Sequence, residues 1–240
     1  MKAVLFSLGP FHVYRYGAAV AAGLFAGLWL AHREARRRGL DAEAVFDLCL
    51  AAILAGVAGA RLEHVLFSLP FYVAHPAELF RLDEGGLSVH GALLAGGLTV
   101  WLLGRRRGLP FLRVADALVP SLALGEALGR LGCDLIGRPG RGPFPLVAEG
   151  VSYHNVPLYS ATFLFGLFLY LRWACRRWEG TPGRAFLAYV LWYSAGRFVL
   201  EFFRTSPPLW HGLSLAQLAS VLLAGGAAFG IAGLRKRSSP

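Results

Sequence analysis

A chain of 240 residues that is 56% hydrophobic and 16% charged, with a mean hydropathy of +0.52, is not an ordinary soluble globule. Its composition is that of a polytopic membrane protein. The formal charge of +10 would suit nucleic acid, but the distribution of that charge argues against it, because the arginines gather in clusters between apolar runs.

Seven apolar stretches follow in order, at about 13–31, 44–68, 86–103, 111–131, 158–175, 185–203 and 213–233. Each is close to the roughly 20 residues that an α-helix needs to cross about 30 Å of hydrocarbon. They predict one all-α transmembrane domain over residues 1–240, rich in the Gly and Ala that let helices pack closely in lipid. Before the first stretch stands one basic residue, Lys2, and after it come Arg33, Arg36, Arg37 and Arg38; that order is the reverse of a cleavable signal and predicts a retained helix. Further clusters follow the third stretch (Arg105, Arg106, Arg107), the fifth (Arg172, Arg176, Arg177, Arg184) and the seventh (Arg235, Lys236, Arg237). The alternation places the N-terminus outside and the C-terminus in the cytoplasm. Two outer segments interrupt the bundle. Residues 69–85 contain Pro70 and Pro76 and predict a loop or short interfacial helix; residues 132–157 are longer and rich in Gly and Pro, with a small hairpin expected around Gly150. Cys49, Cys133 and Cys175 show neither metal spacing nor CxxC, and no disulfide framework is expected.

On this topology the costly polar residues fall together. Arg15 and Tyr16, His90, Arg130 and Arg197 all lie at or near outer ends, and Arg197, Glu201 and Arg204 follow one another at i, i+4 and i+7 on one helical face. A charge at bilayer depth costs several kcal/mol, roughly 2.5–3.5 on insertion scales, unless a partner or water meets it. Two arginines retained there suit an anion, and a lipid phosphate is the commonest in a membrane. Two guanidiniums grip a phosphodiester bidentately and stabilise charge on a departing phosphate, while a neutral histidine accepts a proton from a nucleophile. Each residue also has a plainer reading. Arg197 and Glu201 equally fit a buried structural pair, Arg204 a snorkelling cation, Tyr16 an interfacial aromatic belt and His90 a satisfied helix-end histidine. Glu126, one turn before Arg130, fits as its counter-ion; Asp116 fits a capping or pairing role; Arg61, Glu63 and His64 fit a network of their own. No zinc signature, P-loop, dinucleotide fingerprint or GxSxG elbow is present, and neither metal nor organic cofactor is implied.

At these same residues the chain resembles the prolipoprotein diacylglyceryl transferases. The matching pieces are RYG from Arg15, GARLEHVLF from Gly59, GGLSVHGALLAG from Gly85, VADALVP from Val114, GEALGRLGC from Gly125, RFVLEFFR from Arg197 and GLSLAQLAS from Gly212. The family's G-R-x-G segment is matched by Gly129-Arg130-Leu131-Gly132, its histidine by His90 and its late arginine by Arg197. The resemblance implies a multi-pass protein of the bacterial cytoplasmic membrane whose site faces outward. It implies transfer of the diacylglyceryl group from phosphatidylglycerol to the lipobox cysteine thiol of a prelipoprotein signal peptide, giving a thioether and releasing glycerol phosphate. By the same resemblance Arg130 and Arg197 hold the headgroup, and His90 or Tyr16 helps to deprotonate the thiol. Glu201 and Arg204 orient the site, and Gly129, Gly132, Asp134 and Tyr159 complete the substrate-binding set. No nucleic acid is involved.

Two segments depart from the family pattern. After G-R-x-G the family shows asparagines and an acid, where this chain has Cys133-Asp134-Leu135-Ile136-Gly137-Arg138; Asp134 is the candidate replacement for the acid. The segment that usually reads H-P-S-Q-L-Y-E is His154-Asn155-Val156-Pro157-Leu158-Tyr159-Ser160, without the Gln and Glu, and Arg138 and Arg141 are extra cations. These departures keep two alternatives open, a paralogous lipid enzyme with another headgroup or acceptor and a non-catalytic lipid-binding membrane protein.

Overall fold

The computed structural model describes residues 4–8, 11–81 and 85–237. Lys2 and residues 82–84, part of the segment at 69–85, lie outside them. The regular secondary structure of the described residues is helical apart from two small hairpins, β1 (Val4–Leu8) with β2 (Phe11–Tyr14) and β3 (Leu146–Ala148) with β4 (Val151–Tyr153). Seven helices have 18 residues or more: α1 (Arg15–Arg37), α2 (Ala42–Phe67), α4 (Val89–Arg106), α5 (Phe111–Leu131), α6 (Val156–Arg177), α7 (Arg184–Glu201) and α8 (Leu215–Arg237). Each coincides with one of the seven apolar stretches. Three of them, α2, α6 and α8, are long and apolar enough to cross a membrane by length and hydropathy. The segment expected as a loop or short interfacial helix at residues 69–85 contains a short helix, α3 (Leu69–Ala74), followed by a 3-10 turn at Pro76–Phe80, and the hairpin expected around Gly150 is β3–β4. The hairpin β1–β2 was not anticipated from the sequence.

Helix starts follow local chemistry. Asp41 accepts from the Ala44 amide at 3.0 Å to cap α2, and Asn155 accepts from Leu158 at 3.2 Å to cap α6, whose second residue is Pro157. At α8 the Ser214 hydroxyl accepts from the Gln217 amide while the Gln217 side chain accepts from the Ser214 amide, a reciprocal capping box. Arginines close α1, α4 and α6 at their C-termini, where the helix dipole favours cations.

The chain divides into two compact units, residues 35–114 and the remainder. In the smaller, α2 and α4 pack antiparallel through small residues. A Cβ on Gly59 would lie 2.6 Å from the Gly91 carbonyl oxygen, so only glycine permits this approach. One end of the unit is tied by Arg107 to Asp47 at 2.9 Å and by Arg113 to the Arg38 carbonyl at 2.9 Å.

The larger unit holds most of α1 and α5 with all of α6, α7 and α8. Its core is Val119, Ala123, Leu167, Leu171, Cys175 and Ala185, surrounded by aromatic rings that include Phe163, Tyr189 and Tyr193. Asp116, 1% exposed, accepts from the Gly183 and Phe186 amides, each at 2.8 Å, and so caps α7 from another helix. This is the capping role expected for it. Large apolar side chains stand exposed along the helices, among them Phe25, Leu222 and Phe229. Such apolar exposure suits a lipid-facing surface.

Candidate functional site

The site grows from the end of α5. Glu126 and Arg130 are one turn apart, and the guanidinium donates to the carboxylate at 2.8 Å. The counter-ion role expected for Glu126 is the one observed. Tyr193 of α7 donates to the same oxygen, Glu126 Oε1, at 3.2 Å. One turn beyond Tyr193, Arg197 meets Glu201 Oε2 at 2.9 Å, and the Arg204 Nε approaches the same oxygen at 3.3 Å. The other oxygen of Glu201 accepts from the Ser214 hydroxyl at 3.2 Å. Glu201 is 4% exposed, so its negative charge is sustained by two guanidiniums and a hydroxyl. Burial, then the like charge of Arg197, lowers the pKa of Arg204 from its ordinary value.

Arg130 and Arg197 line one cleft, with Glu126, Tyr193, Ser160, Phe163, Leu164 and Leu200. Both side chains keep partial exposure, 30% and 29%, so neither is sealed into its ion pair. Among these five charged residues, three guanidiniums face two carboxylates. The excess of one positive charge matches a phosphodiester, which carries one negative charge.

The remaining candidates surround this cluster or lie elsewhere. Gly129 is on the last turn of α5, and Gly132 follows it buried; a Cβ on Gly132 would lie 2.9 Å from the Arg15 carbonyl oxygen and 3.0 Å from the Tyr16 Cα. Glycine is needed there for α5 to end against the first turn of α1. Asp134 pairs with Arg15, beside the exposed Tyr16. Tyr159 donates to the Pro143 carbonyl at 3.0 Å, and its ring packs with His154 and Phe203. The segment at residues 132–157 is strapped to the end of α7: the Arg138 amide donates to the Phe203 carbonyl at 2.8 Å and its side chain to the Arg204 carbonyl at 2.6 Å. The extra cation Arg138 is therefore engaged in holding this segment. His90 belongs to the smaller unit, exposed on the first turn of α4. Of the three residues expected to form a network there, Arg61 donates to the carbonyls of Glu78, Leu79, Gly85 and Gly86, Glu63 accepts from the Gly91 amide, and His64 packs edge-on against Tyr72.

A family model described as prolipoprotein diacylglyceryl transferase matches residues 3–232. The chain belongs to the prolipoprotein diacylglyceryl transferase family. Curated relatives named phosphatidylglycerol–prolipoprotein diacylglyceryl transferase include one from Bacillus cereus, 35% identical over 91% of this chain and 86% of its own length. Another, from Bacillus mycoides, is 35% identical over 89% of this chain and 85% of its own length.

Set against the family resemblance, the geometry adds residues that sequence reasoning passed over. Tyr193 lies one turn before Arg197, so Tyr193, Arg197 and Glu201 run along one stripe at i, i+4 and i+8, and extending the stripe backward would have found it. Ser214 and Gln217 carried a signal too, because S-x-x-Q before an apolar run marks a helix start.

Proposed function

We propose that this chain transfers the diacylglyceryl group of phosphatidylglycerol to the cysteine thiol of a prelipoprotein lipobox. The thiol loses its proton, sulfur forms a bond to the glyceryl carbon, the carbon–oxygen bond to phosphate breaks, and glycerol phosphate leaves with the charge. Arg130 and Arg197 hold the headgroup phosphate and stabilise the charge gathering on it as it departs. Glu126 and Glu201 fix the two guanidiniums in place before the lipid arrives. Arg204 orients the site from the far side of Glu201, and Gly129, Gly132, Asp134 and Tyr159 complete the binding set. His90 or Tyr16 is the candidate acceptor of the thiol proton; an imidazole suits that role near neutral pH better than a phenol. The observation that carries the reading is the cleft lined by two half-open arginines from separate helices, each held by its own carboxylate.

We also propose that all seven long helices cross the bacterial cytoplasmic membrane as one transmembrane domain, with the N-terminus and the site outside and the C-terminus in the cytoplasm. Within the larger unit, the ends assigned to the outer side meet one another: Arg15 with Asp134, residue 138 with 203 and 204, and Ser214 with Glu201. Ends assigned to the inner side meet likewise, Arg172 with Glu34 and Asp116 with Gly183.

The test is transfer by purified protein from phosphatidylglycerol to a lipobox peptide, followed by mass spectrometry. A diacylglyceryl-peptide adduct is expected, and Arg130→Ala or Arg197→Ala abolishes it while leaving the fold intact. If either variant instead retains transfer per folded molecule and only lowers yield or detergent stability, the arginines are structural pairs. Folded protein that binds phosphatidylglycerol and yields no adduct would move the assignment to another acceptor, in line with the altered sequence after Gly132.

A further inference from the structure

His90 is the second residue of α4, and the helix start that presents it lacks its own cap. Ser88, in the capping position, makes no side-chain hydrogen bond to the first turn. The amide that such a cap would satisfy, Gly91, donates instead to the Glu63 carboxylate of α2. The Ser88 amide is bound as well, donating to the Ala60 carbonyl at 3.0 Å. The segment before it is held by Arg61. That guanidinium donates to the carbonyls of Leu79 at 3.0 Å, Gly85 at 3.1 Å, Gly86 at 3.2 Å and Glu78, and lies over the Tyr72 ring at 5.2 Å. Gly85 and Gly86 both take positive φ, which turns successive carbonyls onto it. Three positions within one turn of α2, Ala60, Arg61 and Glu63, thus fix the backbone on both sides of His90. Behind them, the close contact of Gly59 with Gly91 leaves the two helices no room to slide.

We infer that Glu63 is a positioning residue for His90, acting as a cap supplied from α2 that sets the direction in which the imidazole is presented. The inference rests on the reading of His90 as the proton acceptor. It assigns Glu63 a role by reach rather than by charge. Glutamine offers an oxygen at the same distance and still accepts from the Gly91 amide. Aspartate keeps the charge but is one methylene shorter, so it leaves the amide unpaired and the first turn of α4 free to shift.

Steady-state transfer by the full-length protein, with phosphatidylglycerol and a lipobox peptide, separates these. Glu63→Gln is expected to keep kcat within about threefold, whereas Glu63→Asp loses about tenfold or more, with KM for both substrates within about twofold, because misplacement of a reacting group acts on the chemical step. In the His90→Asn background, Glu63→Asp is expected to cause no further loss, since a residue acting only through His90 has nothing left to position. Transfer slowed by Gln and spared by Asp, or an equal loss from Glu63→Asp with and without His90, would overturn the inference while leaving His90 in its role. Full turnover in His90→Asn itself would remove His90 as proton acceptor, and the role of Glu63 with it.

Discussion

Glu201 shows how single residues share binding and stability in this protein. Its carboxylate, 4% exposed, meets Arg197, Arg204 and Ser214, so it neutralises part of the cluster and sets where Arg197 points. Removing one partner of a buried charge network leaves the others uncompensated, at a cost of about 3–5 kcal/mol in soluble proteins. Glu201→Ala is therefore expected to lower the thermal midpoint in detergent and to abolish transfer. Glu201→Gln keeps an acceptor for Ser214 and loses mainly the charge, so its loss of stability is expected to be smaller than that of Ala while transfer still falls. A Gln variant as active as the parent in the peptide assay would show that the charge of Glu201 does not hold Arg197 for catalysis. The pair of Arg15 with Asp134 contrasts with it: both side chains are substantially exposed, and such pairs contribute about 0–1 kcal/mol.

At the scale of elements, two helices are capped from a neighbour rather than from their own sequence. Glu63 serves α4 and Asp116 serves α7, whose N-cap position, Gly183, supplies no side-chain cap. Asp116→Ala orphans two amides at a buried helix end and is expected to destabilise by about 1–3 kcal/mol, whereas Asp116→Asn retains an acceptor and costs less. Thermal denaturation with transfer normalised to folded protein checks this; equal midpoints for Ala and the parent would show that water or another group satisfies the end of α7. Caps of this kind explain what the sequence disclosed. Apolar runs gave all seven long helices, and i, i+4 spacing joined Arg130 to Glu126 and Arg197 to Glu201, because those signals are local. Asp116 was legible as a capping or pairing group because a lone acid near an apolar run needs a partner, but nothing local names α7 as that partner. Tyr193 was hidden because a tyrosine in an apolar helix carries no cost that demands explanation. The hairpin β1–β2 escaped notice because its two short strands lie just before the first predicted span, which takes in only the end of β2.

At the scale of the whole molecule, the proposed orientation rests on where the arginines stand. Helices α1, α4 and α6 each end in arginines at the C-terminus, so dipole and positive-inside preference agree for three of the four helices assigned to run inward. The seven proposed crossings would put the two ends of the chain on opposite sides. Single cysteines, placed after Cys49, Cys133 and Cys175 are replaced by alanine, read this directly in cells. Leu5 on β1 and Val147 on β3 are both exposed, and Leu5→Cys and Val147→Cys are expected to react with a membrane-impermeant maleimide in intact spheroplasts. Arg106→Cys, at the exposed end of α4, is expected to react only after permeabilisation. Labelling of Arg106→Cys from outside together with protection of Val147→Cys would invert the protein. The arginine cleft would then face the cytoplasm, where an exported lipoprotein signal has not yet crossed, and the proposed acceptor would have to be abandoned. Reaction of Leu5→Cys and Val147→Cys from opposite sides would instead show an odd number of crossings between them, since the four crossings proposed for α1, α2, α4 and α5 return the chain to its starting side.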